Sequence, residues 1–188
     1  MTHALPEHGA DWPTLEARMR EMASGDVKWR EGRTAVYVFN AGPEVEHVKK
    51  TAYAMFSEEN GLGPAAFPSL ARMEREVVGF GLSLMRAPEG AAGAMTSGGT
   101  DSITMAIKAA RDFARAKRGL KGAANIVIPY TAHPAFDKAC ALMDIEVRRV
   151  PVKDCLADAD AIAARIDAAT IMLVGSAPCF PFGMIDPI

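Results

Sequence analysis

Met95-Thr96-Ser97-Gly98-Gly99-Thr100-Asp101-Ser102 runs without a break into Ile103-Thr104-Met105-Ala106-Ile107-Lys108-Ala109-Ala110-Arg111-Asp112. A short apolar run, two glycines and a long amphipathic segment spell a strand end, a sharp turn and a helix start. Ile103, Ile107, Ala110 and Ala114 recur at helical spacing and predict one buried face on a helix over Thr100–Arg118. Similar units come downstream. Asn125–Pro129 reads as a strand and Pro134–Met143 as a helix with Phe136, Ala139, Cys140 and Met143 inward. Ile145–Val152 reads as a strand, Asp158–Asp167 as a short helix and Thr170–Gly175 as an apolar strand. With Ala91–Met95 as a weak first strand, the order is β-α-β-α-β-α-β. That order calls for an α/β fold, a mainly parallel sheet covered by helices on its faces.

Upstream the pattern is helical. Trp12, Leu15, Met19 and Met22 mark an amphipathic helix that Gly25 ends. Ala35–Phe39 reads as a short extended segment. Pro43 opens a helix running to about Glu59, with Val48, Ala52, Met55 and Phe56 on its expected buried face. Asn60-Gly61-Leu62-Gly63-Pro64 is a loop by composition, and Ser69–Leu84 is a third helix with Leu70, Met73, Val77 and Phe80 in register. The expected organisation is an N-terminal helical arm over 1–85 and an α/β body over 86–188. Asp186-Pro187-Ile188 is a turn signal that normally introduces another helix, and three or four strands are few for this apolar content. The chain is therefore expected to be the first part of a longer polypeptide.

Composition narrows the function classes. The chain has 188 residues, 49% of them hydrophobic and 23% charged, which excludes a disordered or fibrous protein. Its net charge of −2 gives no general attraction for nucleic acid or anionic lipid. The three cysteines, Cys140, Cys155 and Cys179, are widely spaced and include no CxxC pair, so neither a disulfide framework nor a metal site is expected. Met1–Pro13 contains Glu7 and Asp11 and lacks the apolar run of a signal peptide. Ala168–Ile185 is uncharged for 18 residues, but Gly175, Pro178, Pro181 and Gly183 mark it as a core strand and loop rather than a membrane span. A reducing, cytoplasmic setting is the expectation.

Three segments carry chemistry. At Ser97-Gly98-Gly99-Thr100 the free N–H groups of a helix start converge with the hydroxyls of Ser97, Thr100 and Ser102, which makes an anion site suited to phosphate. Taken alone, the motif also reads as a glycine turn with a Ser/Thr helix cap. No lysine follows the glycines and G-x-G-x-x-G is absent, so it is neither a P-loop nor a dinucleotide fingerprint. Tyr130-Thr131-Ala132-His133-Pro134 follows a strand and so falls at the sheet edge where ligands of parallel α/β folds collect. His133 is equally readable as a cap for the next helix. Gly175-Ser176-Ala177-Pro178-Cys179-Phe180-Pro181-Phe182-Gly183 follows another strand. Three such loops at one edge define a single cleft.

The ordered set of motifs resembles a known family. T-S-G-G-T-D-S with I-T-M-A-I-K-A-A-R-D, I-V-I-P-Y-T-A-H-P-A-F-D-K-A at Ile126–Ala139, and V-G-S-A-P-C-F-P-F-G-M-I-D at Val174–Asp186 look like pyridoxal-phosphate enzymes of the group II decarboxylase and sphingosine-1-phosphate lyase type. A-V-Y at Ala35–Tyr37 and F-P-S-L-A-R-M-E-R-E-V-V at Phe67–Val78 match in order and spacing, and the lyase branch is the closer likeness. The resemblance covers about residues 33 to 188 and implies the large domain of a pyridoxal-phosphate enzyme of fold type I, the aspartate aminotransferase-like fold. It implies pyridoxal 5'-phosphate as cofactor, with Ser97, Gly98, Gly99 and Thr100 around its phosphate. It lays His133 flat on the pyridine ring, and lines the pocket with Ser176 and Cys179. Tyr37 resembles the active-site tyrosine of the lyase branch, and Asn60 lies in the loop that serves the substrate side. A homodimer acting on a small amine is implied as well, with the apolar N-terminal helices as candidates for its interface.

Two departures qualify the match. The lyase pattern carries a histidine after Asn-x-Leu, and here that position is Gly63, which puts a phosphorylated long-chain substrate in doubt. The family also needs an aspartate opposite the pyridine nitrogen and a lysine that forms the Schiff base. None of Lys28, Lys49, Lys50, Lys108, Lys117, Lys121, Lys138 and Lys153 follows the expected motif. The expected activity of the complete protein is therefore retro-aldol cleavage of a Cα–Cβ bond in an amino alcohol, with this chain inactive alone. Amino-acid decarboxylation is the alternative within the family. Outside it stand a non-catalytic module that binds a phosphorylated ligand and a purely structural protein.

Overall fold

The computed structural model of the chain describes residues 4–34 and 37–188. The chain divides into two compact units, Met1–Leu70 and Ala71–Ile188. In the first unit, Asp11 accepts the Thr14 N–H (3.1 Å) and caps helix α1, Trp12–Met22, with Pro13 in its first turn where no donor is needed. Two short 3₁₀ turns come next at Ala23–Gly25 and Trp29–Glu31, and Gly42 leads into α2, Pro43–Met55. The expected extended segment at 35–39 is not a strand where it is described. Tyr37 is left-handed (φ 59°), and Ala35 and Val36 lie outside the described residues.

Helix α3, Pro68–Leu84, begins in the first unit and continues into the second. The division therefore falls inside this helix and not at 85/86. Two contacts tie α3 to the segment at 93–95. Glu74 accepts the Met95 N–H (3.2 Å), and the Val78 side chain packs on Gly93. The same contacts account for one correction: Ala91–Met95 is not a strand. Its Met95 donor goes to a side chain on α3 rather than to a neighbouring strand.

The core of the second unit is three parallel strands in the order β2-β1-β5. Helix α4, Gly99–Lys117, precedes strand β1, Ala124–Pro129; helix α5, Ala135–Leu142, joins it to β2, Ile145–Val150. A hairpin of β3, Val152–Lys153, and β4, Leu156–Ala157, turns through Asp154 and Cys155, both left-handed as a tight two-residue hairpin turn requires. Helix α6, Ala159–Ala163, is capped by Asp158 and leads to β5, Thr170–Leu173. All six residues of β1 are buried, as a central parallel strand demands. Ile107 of α4 and Ala139 and Cys140 of α5 close over Ile126 and Ile128. Burial pushes the Cys140 thiol up to about 11, so it packs as an apolar group.

The stripes expected on α4 and α5 are the buried ones. Those expected on the earlier helices are not. Val48 and Met55 of α2 and Phe80 of α3 are each more than 60% exposed. Helical spacing makes a stripe but does not supply the surface that covers it.

A polar cluster closes the N-terminal edge of the sheet. Arg118, just past α4, donates to the carbonyls of Thr170 (2.9 Å) and Ala168 (2.7 Å). Buried Asn125 and Thr170 bond each other (2.8 Å), and Asp167 accepts from Asn125 Nδ2 (2.9 Å), the Ala169 N–H (2.9 Å) and Arg148 Nη1 (2.6 Å). The Asn125 bond, then the Arg148 bond, hold the Asp167 carboxyl well below the usual carboxylate range. A depressed folded-state pKa gives stability that is present above the unfolded value and lost as pH falls through the folded one. Asp167→Asn is therefore expected to lower the unfolding midpoint near neutral pH. The gap from wild type should shrink below about pH 4, as followed by denaturant titration at several pH values.

Candidate functional site

Three segments lie at the C-terminal edge of the sheet. Arg118 fixes the C-terminus of α4 at the opposite edge, so the helix, running antiparallel to β1, presents its N-terminus here. The loops after β1 and β5 leave from the same edge because the strands are parallel.

The start of α4 is built by Gly98. Its φ of 155° and ψ of 176° belong to a region that is essentially glycine's alone. A Cβ at Gly98 or Gly99 would meet nothing within 4 Å, so open space lies in front of the turn. No side chain caps the helix. Ser102 N–H reaches the Gly98 carbonyl (3.0 Å), and the amides of Gly99, Thr100 and Asp101 precede any i−4 acceptor. The neighbouring hydroxyls are divided. Ser97 offers both its N–H and its Oγ to Asp101 Oδ2 (3.2 Å each), while Ser102 Oγ and Thr96 Oγ1 share a 2.6 Å bond. Those bonds brace the turn from behind. Thr100, in the first helical turn, is exposed.

His133 is exposed, and its Nδ1 accepts the Ala135 N–H (3.0 Å) at the start of α5. The capping role is thus real, and it fixes the ring while leaving both faces uncovered by that bond. After β5, buried Asp186 organises the loop. Its Oδ2 accepts the Ser176 N–H (2.7 Å), its Oδ1 accepts the Ala157 N–H (2.8 Å), and its own N–H returns to the Ser176 carbonyl (2.9 Å). Cys179 is 2% exposed, so its thiol faces the interior of this loop rather than solvent.

Tyr37 and Asn60 belong to the first unit. Tyr37 is 75% exposed, and the Asn60 side-chain carbonyl accepts the Leu62 N–H (3.1 Å) within its own turn. Sequence reasoning did not single out Thr96, Glu74 or Asp186. Asp186 was visible only as a turn residue, because its partners at Ala157 and Ser176 are backbone amides that carry no side-chain signature. Among the described residues no group of three acidic, His or Cys side chains could hold a metal ion, and no helix is long and apolar enough to cross a membrane.

Comparison with known proteins agrees with this architecture. No family model matches the chain. The sphingosine-1-phosphate lyase of Oryza sativa is 43% identical over 187 residues, covering 95% of this chain and 33% of its own length. The solved sphingosine-1-phosphate lyase of Burkholderia pseudomallei superposes with a TM-score of 0.90 at 37% identity, over all of this chain and 45% of that one. Glutamate decarboxylase of Lactobacillus brevis shares the fold, with a TM-score of 0.81 at 23% identity over 99% of this chain and 44% of that one. The fold is therefore that of pyridoxal-phosphate enzymes of fold type I. Within it, the chain is similar to the sphingosine-1-phosphate lyases and, more distantly, to group II decarboxylases. It spans about a third of the length of the curated lyases it matches.

The two glycines of the turn are not equivalent. Gly98→Ala is expected to destabilise the chain by roughly 1–3 kcal/mol through backbone strain. Gly99→Ala, on helical backbone in open space, should be neutral or slightly stabilising. Denaturant unfolding of the two variants decides; equal effects would contradict the conformational argument.

Proposed function

We propose that this chain is the N-terminal part of a pyridoxal-phosphate-dependent carbon–carbon lyase. The complete enzyme would cleave the Cα–Cβ bond of an amino-alcohol phosphate or related amine by retro-aldol chemistry. The observation that carries the reading is the uncapped start of α4, whose amides face open space behind a glycine-only turn. That donor set suits a phosphate dianion: backbone N–H groups at the positive end of a helix and a hydroxyl at Thr100. The residues present therefore fit the cofactor that the family implies. Gly99 keeps the approach clear, since a Cβ there would occupy the space the phosphate needs.

When bound, the cofactor supplies an electron sink for the carbanion left as the bond to Cα breaks. The residues of this chain bind and orient. Gly99 and Thr100 hold the phosphate, with Ser97 and Gly98 shaping the turn. His133, its Nδ1 engaged by Ala135, offers a ring face to the pyridine. Ser176 belongs to a loop that Asp186 fixes, and Cys179 serves it from inside as packing. Tyr37 and Asn60 are assigned to the substrate side. The lysine and aspartate that complete the chemistry are not assigned to any residue of this chain, so residues 1–188 alone are expected to be inactive. The resemblance to that family supports a homodimer, as do the exposed apolar residues of α1 and α2, among them Trp12, Met22, Val48 and Met55. We place the protein in the cytoplasm, a setting that three free cysteines suit.

Two measurements test this. In the complete enzyme, Thr100→Val should weaken pyridoxal 5'-phosphate binding by about 1.5–3 kcal/mol, the value of a hydrogen bond to a charged group. It should leave binding of pyridoxal, which lacks the phosphate, unchanged; an equal loss for both would remove Thr100 from the phosphate site. Product analysis separates the lyase from the decarboxylase, since the first releases an aldehyde and the second carbon dioxide. We expect the aldehyde.

A further inference from the structure

Arg149 sits on β2 beside Ile128 of β1, one position before the end of the paired register. Its Nη1 donates to the carbonyls of Pro129 (3.1 Å) and Tyr130 (3.3 Å), where β1 gives way to the His133 loop. Its Nε (3.3 Å) and Nη2 donate to the two carboxylate oxygens of Asp137, in the first turn of α5. One guanidinium thus ties both ends of Tyr130–Pro134. The loop's own bonds, from Ala132 N–H to the Pro129 carbonyl (3.0 Å) and from Phe136 N–H to the His133 carbonyl (3.1 Å), hold backbone and not the imidazole. The Thr131 hydroxyl is buried with no hydrogen-bond partner among the described residues, an unfavourable state that needs anchoring from outside. His133 is exposed, and its imidazole accepts the Ala135 N–H at Nδ1. That bond requires the loop and the first turn of α5 to keep their relative position, which is what Arg149 fixes. A planar fork of five donors meets two carbonyls and a carboxylate at once; a lysine ammonium cannot.

We propose that Arg149 is the positioning residue for the His133 ring, acting through the loop without touching a ligand. What the ring then does rests on the proposed cofactor role; its placement does not.

The test reads the ring and its anchor directly. In the wild-type protein, long-range ¹⁵N NMR should find His133 with its proton on Nε2 and Nδ1 accepting. In Arg149→Met, the two ring nitrogens should become averaged, and the Ala135 amide should exchange at least about tenfold faster, the equivalent of one lost hydrogen bond. Arg149→Lys should fall between. Arg148→Met is the control for a merely structural role, because Arg148 pairs with Glu146 and Asp167 at the opposite edge. It should destabilise the fold while leaving the His133 signals unchanged. Wild-type His133 signals in Arg149→Met, or equal changes in both variants, would overturn the proposal. If Arg149→Met fails to fold, Asp137→Asn decides by the same criteria, since it loosens one end of the clamp at a half-exposed position. Loosened His133 signals with unaltered pyridoxal 5'-phosphate affinity in the complete enzyme would uphold Arg149 and remove the ring from the cofactor site.

Discussion

The second unit depends on the burial of β1. Its six residues are covered on both faces and paired on both edges, by β2 through the full register and by β5 from Asn125 to Val127. A strand so enclosed is largely apolar, Asn125 apart, and has parallel neighbours, because helices α5 and α6 lie in the connections between the strands. Parallel pairing then decides where the loops emerge. The helix start at Gly98, the His133 loop and the Ser176 loop share an edge because β1 sets the direction of the whole layer. The opposite edge is closed by Asn125, Asp167, Thr170, Arg118 and Arg148, so exposed backbone at the ligand-facing edge is not repeated at the other.

Much of this layer was legible in the residues. Ile103, Ile107, Ala110 and Ala114 define the covered stripe of α4, and the strands at β1, β2 and β5 fall where the short apolar runs predict them. The signal is strong there because the element and its covering surface lie in the same unit. It fails where the partner is elsewhere. Val48, Met55 and Phe80 have helical spacing yet remain exposed. Ala91–Met95 has strand composition but pairs with no strand among the described residues, and the Met95 amide is taken by Glu74. The hairpin through Asp154 and Cys155 was invisible because neither residue is the glycine or asparagine that usually marks such a turn.

The candidate site divides the same way. Glycines and a histidine at strand and helix ends are local signals, and sequence finds them. The groups that hold them are not local. Asp186 reaches back to Ser176 and to Ala157, 29 residues away, and Arg149 reaches back 20 residues to Pro129. Each bonds backbone groups, which every residue possesses, so no residue type at the receiving end betrays the contact. Asp101 shows a further limit. Its place in the first turn suits the helix dipole, but only the structure shows that it bends back to brace Ser97 and leaves the amides of Gly99 and Thr100 without a side-chain cap.

The proposed chemistry stands on those amides taking a cofactor phosphate. The most direct measurement is an amide-resolved NMR titration of the protein with pyridoxal 5'-phosphate. The Gly99 and Thr100 amides are predicted to move first and furthest, with the imidazole of His133 shifted by the ring current of the pyridine. Binding that leaves Gly99, Thr100 and His133 unmoved while shifting residues elsewhere would contradict it.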